Sequence, residues 1–178
     1  MKARLINSAA LAIFILLTLV FSPGPATAGE GPVVTKSFAA KELIPGDTWK
    51  IYLNASAPDA KMKYVFASVQ QAGGMSYPLS ITRIREKDQS GISGFVYINT
   101  LSAGRGMDYV TLSLTLQIRD EKGRFSEPSE FPLTFKPRIE PENPPVGVFA
   151  EKDLGPIMIQ LRPVTNDGGG GGGSGFGF

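Results

Sequence analysis

The chain predicts an all-β fold: a single seven-stranded antiparallel sandwich followed by a short β extension. Two observations carry this. Between Tyr109 and Arg119, Val110, Leu112, Leu114, Leu116 and Ile118 alternate with Thr111, Ser113, Thr115, Gln117 and Arg119. Only an extended strand puts every apolar member of such a set on one side, so one face is dry and the other wet. Further short apolar runs recur along the body, separated by turn residues at the spacing of about ten residues expected of a sandwich, with no convincing helical period between them.

Residues 1–28 precede this body. Lys2 and Arg4 lead into an apolar run from Ala9 to Phe21, then Ser22-Pro23-Gly24-Pro25 and Ala26-Thr27-Ala28. A basic start, an apolar centre and a small-x-small triplet predict a secretory signal peptide cleaved after Ala28. The competing reading, a membrane anchor, meets a run shorter than the roughly 20 apolar residues a span needs. No later stretch reaches that length either, so the processed chain is expected to be exported, to a periplasm or a cell surface, without a transmembrane helix.

The whole chain has 18 basic and 16 acidic residues, and residues 1–28 hold two of the basic ones and no acid, which leaves 16 of each. A balanced body argues against a nucleic-acid partner. Cysteine and histidine are both absent. Stability must then come from a packed core instead of disulfides. Thiolate metal sites, Ser-His-Asp triads and cysteine nucleophiles are excluded with them, so the chain is read as non-enzymatic.

Residues 29–136 make the sandwich. Val33 to Phe38 is an edge strand, and Pro45-Gly46-Asp47 turns the chain. From Thr48 to Asn54, Trp49, Ile51 and Leu53 share a side, with Trp49 as a core anchor. Met62 to Gln70 is apolar on both faces, which predicts a central strand partly covered on its second face. Gly73-Gly74 is a tight turn. Tyr77 to Arg85 keeps phase until Ile84, which predicts a bulge near Arg83. Ile92 to Leu101 and Phe131 to Phe135 flank the long alternating strand.

The body resembles a bacterial immunoglobulin-like or fibronectin type III-like domain. The residues that carry the likeness are Pro45-Gly46-Asp47-Thr48-Trp49-Lys50-Ile51-Tyr52-Leu53 and Ile118-Arg119-Asp120-Glu121-Lys122-Gly123-Arg124-Phe125-Ser126. The second is similar to the Asp-x-x-Gly-Asn-x-Ser hairpin near the end of such domains, with Arg124 in place of Asn. The resemblance implies an immunoglobulin-like sandwich over about residues 33–136, a fold that hosts many functions. The cysteine pair of antibody domains is missing, and Tyr109 shares parity with the polar residues and so is not a tyrosine corner.

Residues 137–165 form a linker with Pro137, Pro141, Pro144 and Pro145, followed by the apolar pieces Val146 to Phe149 and Ile157 to Leu161. Residues 166–178, with glycine throughout 168–173, are expected to be disordered.

Three sets of residues are candidates for function. Immunoglobulin topology would gather loops 54–61, 86–91 and 119–130 at one end, bringing Asp59, Asp88 and Asp120 together as ligands for calcium, the one cofactor these residues suggest. Lys61, Arg85, Lys87, Lys122 and Arg124 in the same loops would neutralise that site, leaving ordinary ion-paired turns. Ile157, Ile159 and Leu161 either pack on their own domain as an extra strand or pair with a sheet edge of another molecule, giving self-association or a docked protein partner. Phe176 and Phe178 would present aromatics on a glycine tether to a receptor. The leading reading is an exported non-enzymatic binding or structural module of the bacterial envelope or cell surface, acting through sheet edges and loops. The alternative is a carbohydrate-binding or calcium-dependent adhesion domain using the loop end or an aromatic face with Tyr52, Tyr97 or Tyr109.

Overall fold

The computed structural model describes residues 30–102 and 104–163; the predicted signal segment and the glycine-rich tail with Phe176 and Phe178 lie outside the described residues. The elements are β1 (Val33–Ala39), β2 (Glu42–Leu43), β3 (Thr48–Ser56), β4 (Met62–Gln71), β5 (Met75–Ser76), β6 (Ser80–Arg83), β7 (Gly91–Asn99), β8 (Thr111–Asp120), β9 (Ser129–Phe135) and β10 (Asp153–Pro156). They form two sheets, ordered β1-β3-β7-β10 and β2-β9-β8-β4-β5, with β6 also paired to β4. The fold is all-β, as predicted, and neither sheet closes into a barrel.

Two features correct the expectation of seven antiparallel strands. Ten strands are present among the described residues, and both sheets are mixed. β2 runs parallel to β9, and β10 runs parallel to β7. Parallel pairing needs a crossover connection, and the chain supplies one for each. β2 belongs to the second sheet although β1, just before it, belongs to the first. Residues 136–152 carry the chain from β9 in the second sheet to β10 at the edge of the first.

Each inner row follows from alternation. On β8, Leu112, Leu114, Leu116 and Ile118 are buried, and β3 contributes Trp49, Ile51, Leu53 and Ala55 from the opposite sheet. The Trp49 indole N–H donates to the Ala40 carbonyl at 2.9 Å, which satisfies the one polar atom of a fully buried ring. The long strand begins at Thr111 and not at Tyr109. Tyr109 has a φ of 64°, a left-handed conformation that interrupts an extended run.

β4 departs from expectation in a way that matters below. Its register on β8 shifts between Met62 and Tyr64. Beyond the shift Val65, Ala67 and Val69 are buried, whereas Tyr64 is exposed and Phe66 half-buried. The phase break expected near Arg83 is where β6 ends; Ile84 leaves the strand and is buried, its N–H donating to the Lys63 carbonyl at 2.9 Å.

The segment after the proline-rich stretch completes the core. The strand is Asp153–Pro156, four residues earlier than the predicted apolar piece. Leu154, Ile157, Ile159 and Leu161 are all buried, and Met158 is exposed. The segment lies along the seam between the sheets. The Ile157 N–H donates to the Tyr97 carbonyl on β7 at 2.7 Å, and the Met158 N–H donates to Ser80 Oγ on β6 at 2.8 Å.

Candidate functional site

The outer face of the second sheet carries an aromatic and cationic cluster. Tyr64 pairs laterally with Arg83 on β6 and with Arg119 on β8, so the three stand in one row across the sheet. Phe66 stands in a row with Ile81 and Gln117. Phe125 joins them because the chain after β8 folds back: the Ser126 N–H donates to the Ile118 carbonyl at 2.8 Å, and Gln117 Nε2 donates to the Ser126 carbonyl at 3.0 Å. The Phe125 ring meets Phe66 edge-on, with centroids 5.1 Å apart, and the Arg119 guanidinium lies 5.5 Å from the Phe125 centroid.

Part of this face, around Tyr64, Ile81 and Phe125, is apolar where the solvent-facing side of a sheet is ordinarily polar. Tyr64 is 37% exposed, Ile81 52% and Phe125 45%. Burying a fully exposed side chain of this kind is worth roughly 1.5–3 kcal/mol, and these half-exposed ones retain part of that. Among the described residues, neither Arg83 nor Arg119 forms an ion pair, and Arg119 Nε is buried with no hydrogen-bond acceptor.

The first sheet treats its outer aromatics differently. Phe38, Tyr52 and Phe95 stand side by side, with ring centroids 6.3 Å and 5.4 Å apart. Residues 146–151 lie over them. Phe149 sits 5.7 Å from Tyr52, Asn54 Nδ2 donates to the Val148 carbonyl at 2.8 Å, and the Tyr52 hydroxyl donates to Glu151 at 2.7 Å. Lys50 completes the latch, 3.2 Å from the Glu151 carboxylate. The Tyr52 hydroxyl and the Lys50 ammonium hold the Glu151 carboxyl below its ordinary range. Burial, reinforced by the bond to Glu151, pushes the Tyr52 phenol up. Tyr52 is therefore covered, Tyr97 is half-buried, and Tyr109 is exposed in the loop before β8. The three tyrosines do not form one accessible platform.

At the loop end, the structure brings Asp59 and Asp120 together around Arg124. Arg124 Nη2 reaches Asp59 at 2.5 Å and Asp120 at 2.7 Å, and Lys122 bonds Asp59 at 2.9 Å. Hydrogen bonds from Arg124 and then Lys122 hold the Asp59 carboxyl well below its usual range. For Asp120, burial acts to raise the value, but the backbone N–H and guanidinium of Arg124 outweigh it and the carboxyl lies low. Asp88 is engaged elsewhere, by Lys152 and by Arg85. Among the described residues no group of three or more His, Cys, Asp or Glu is placed to hold a metal ion. The cations at this end are the protein's own side chains.

Ile157, Ile159 and Leu161 are buried against their own domain. Tyr64, Phe66, Phe125, Arg83 and Arg119 escape sequence reasoning as a site. The available signal is the two-faced apolar pattern of β4, which predicts a partly covered second face; among the described residues Phe125 packs on Phe66 and Tyr64 stays exposed.

No family model matches the chain, and no curated protein matches it in sequence. Among the described residues no helix is long and apolar enough to cross a membrane.

Proposed function

We propose that the chain is an exported, non-enzymatic, immunoglobulin-like module that binds a partner of the bacterial envelope or cell surface through the outer face of its second sheet. The order β1-β3-β7 opposite β9-β8-β4 supports the immunoglobulin-like reading. The basic-apolar-small pattern of residues 1–28 supports export, and the lack of histidine and cysteine supports a role without catalysis.

One observation carries the binding face. Residues 146–151 roof the aromatic row of the first sheet, whereas among the described residues no segment covers Tyr64, Ile81 and Phe125 on the second sheet, which stay partly exposed. Exposed apolar clusters rimmed by polar groups mark interaction sites. A photo-crosslinking residue at Gln117, inside this face, should give a discrete adduct in the envelope of the source cells. The same residue at Lys36, on β1, should not. Equal labelling from both positions, or none from Gln117, sinks the proposal.

Carbohydrate is the second reading. It is favoured by Ser68, Gln70, Ser113 and Thr115, which continue the same face as a field of hydroxyl and amide groups.

A further inference from the structure

We infer that the partner of this face is an extended polypeptide segment that sets a carboxylate on either side of an apolar side chain, the carboxylates meeting Arg83 and Arg119 and the apolar group meeting Tyr64 and Phe66. This rests on the binding face proposed above and names what the face is built to take.

The register sets the spacing. Arg83, Tyr64 and Arg119 occupy successive strands in one row, and neighbouring strands lie about 4.8 Å apart, so the two arginine backbones stand roughly 10 Å apart with an aromatic between them. An extended segment places residues i, i+2 and i+4 on one side, about 7 Å apart. Acid, apolar and acid at those positions fall within reach of two long arginine side chains.

Charge points the same way. The carboxylates nearest Arg119 in sequence are already engaged: Asp120 with Arg124 and Glu121 with Lys63 and the Lys61 N–H. No anion among the described residues pairs with Arg83 or Arg119. A carboxylate can take two N–H groups of a guanidinium together; the buried Nε of Arg119 lies out of a partner's reach, which leaves the Nη groups for that contact.

Ring geometry favours a polypeptide over a polysaccharide. Tyr64 and Phe66 meet at 78° and Phe66 and Phe125 at 69°. Flat sugar rings in a chain stack on rings that share a plane. Rings set edge to face form a notch instead, which suits a single branched or aromatic side chain.

The probe is a peptide blocked at both ends, Gly-Glu-Ala-Phe-Ala-Glu-Gly, titrated into the isotope-labelled chain and followed by nuclear magnetic resonance. Its counterpart carries Gln for both Glu, and polygalacturonate is the anionic sugar arm. The expected result is saturable shifts at Tyr64, Phe66, Arg119 and Phe125, about tenfold weaker with the Gln peptide, since two exposed ion pairs together supply a factor of that order. The difference between the peptides should vanish in the double variant Arg83→Gln, Arg119→Gln while resonances elsewhere stay in place. Equal binding of the Gln peptide, no shifts at the face, or stronger displacement of the same resonances by polygalacturonate overturns the inference. The crosslink at Gln117 keeps the two proposals apart. An adduct that persists undiminished in the double variant overturns the acidic partner and leaves the face; an adduct absent from the unaltered chain overturns the face itself.

Discussion

Gly155 and Thr82 meet across the seam between the sheets. A β-carbon on Gly155 would stand 2.7 Å from the Thr82 methyl, and the Thr82 hydroxyl donates to the neighbouring Pro156 carbonyl at 2.6 Å. Gly155 also holds a φ of 132°. Close approach and backbone conformation both require glycine here, so β10 can lie against β6 only with this residue.

Gly155→Ala should therefore destabilise the fold by about 1–3 kcal/mol through overpacking and backbone strain. Gly91→Ala, where nothing lies within 4 Å of the added methyl, should stay within about 0.5 kcal/mol. Urea unfolding of the two variants reads the difference, and equal midpoints would show that the seam yields freely.

The residues after β10 belong to the core on the same grounds. Leu161→Ala removes a buried side chain and should cost about 2–5 kcal/mol. Met158→Ala, its exposed neighbour, should cost about 0.5 kcal/mol or less. Similar losses from both, measured by the same unfolding curves, would contradict the alternating burial of this segment.

Acid should weaken the loop end. The carboxyls of Asp59 and Asp120 both lie below their ordinary value of 3.8. Groups depressed on folding stabilise fully above the unfolded value, and that contribution is lost as pH falls through the folded values. Urea midpoints should hold from neutrality to about pH 4 as far as this cluster is concerned and decline below it. Arg124→Gln should be less stable at neutral pH and should show a shallower acid decline. A decline as steep as that of the unaltered chain would assign acid sensitivity to other groups.

The roof over the first sheet can be followed through Tyr52. Burial is the main cause of its raised phenol value, and the bond to Glu151 adds to it. Glu151→Gln should move the Tyr52 titration to lower pH, and Phe149→Ala should do so as well by admitting water. Difference absorbance of the phenolate reports both shifts. A Tyr52 titration unmoved in Glu151→Gln would mean that the latch does not form in solution.

Much of the fold was legible because its signals are local. The alternation from Leu112 to Ile118, the parity of Trp49, Ile51 and Leu53, and the glycine turn after β4 each depend on residues close in the chain. The ion cluster was half legible. The loop carboxylates were visible, and so were the basic residues beside them, but the capture of Asp59 by Arg124 spans 65 positions and left no local mark. The parallel pairs were not legible, because β2 and β10 are short and their direction is set by crossovers. The binding face was the least legible part. Tyr64 and Phe66 read as a second, partly covered side, and Phe125 reaches them only through a tight fold-back after β8.

By itself the sequence determined the all-β class, the inner rows of the core and the lack of the histidine and cysteine that a Ser-His-Asp triad or a thiolate metal site needs, because periodicity and composition are properties of the chain alone. Only the tertiary structure decided which outer aromatics are covered. Cover is long-range: Glu151 holds the roof on Tyr52 from 99 positions away, and no segment among the described residues does the same for Tyr64 and Phe125.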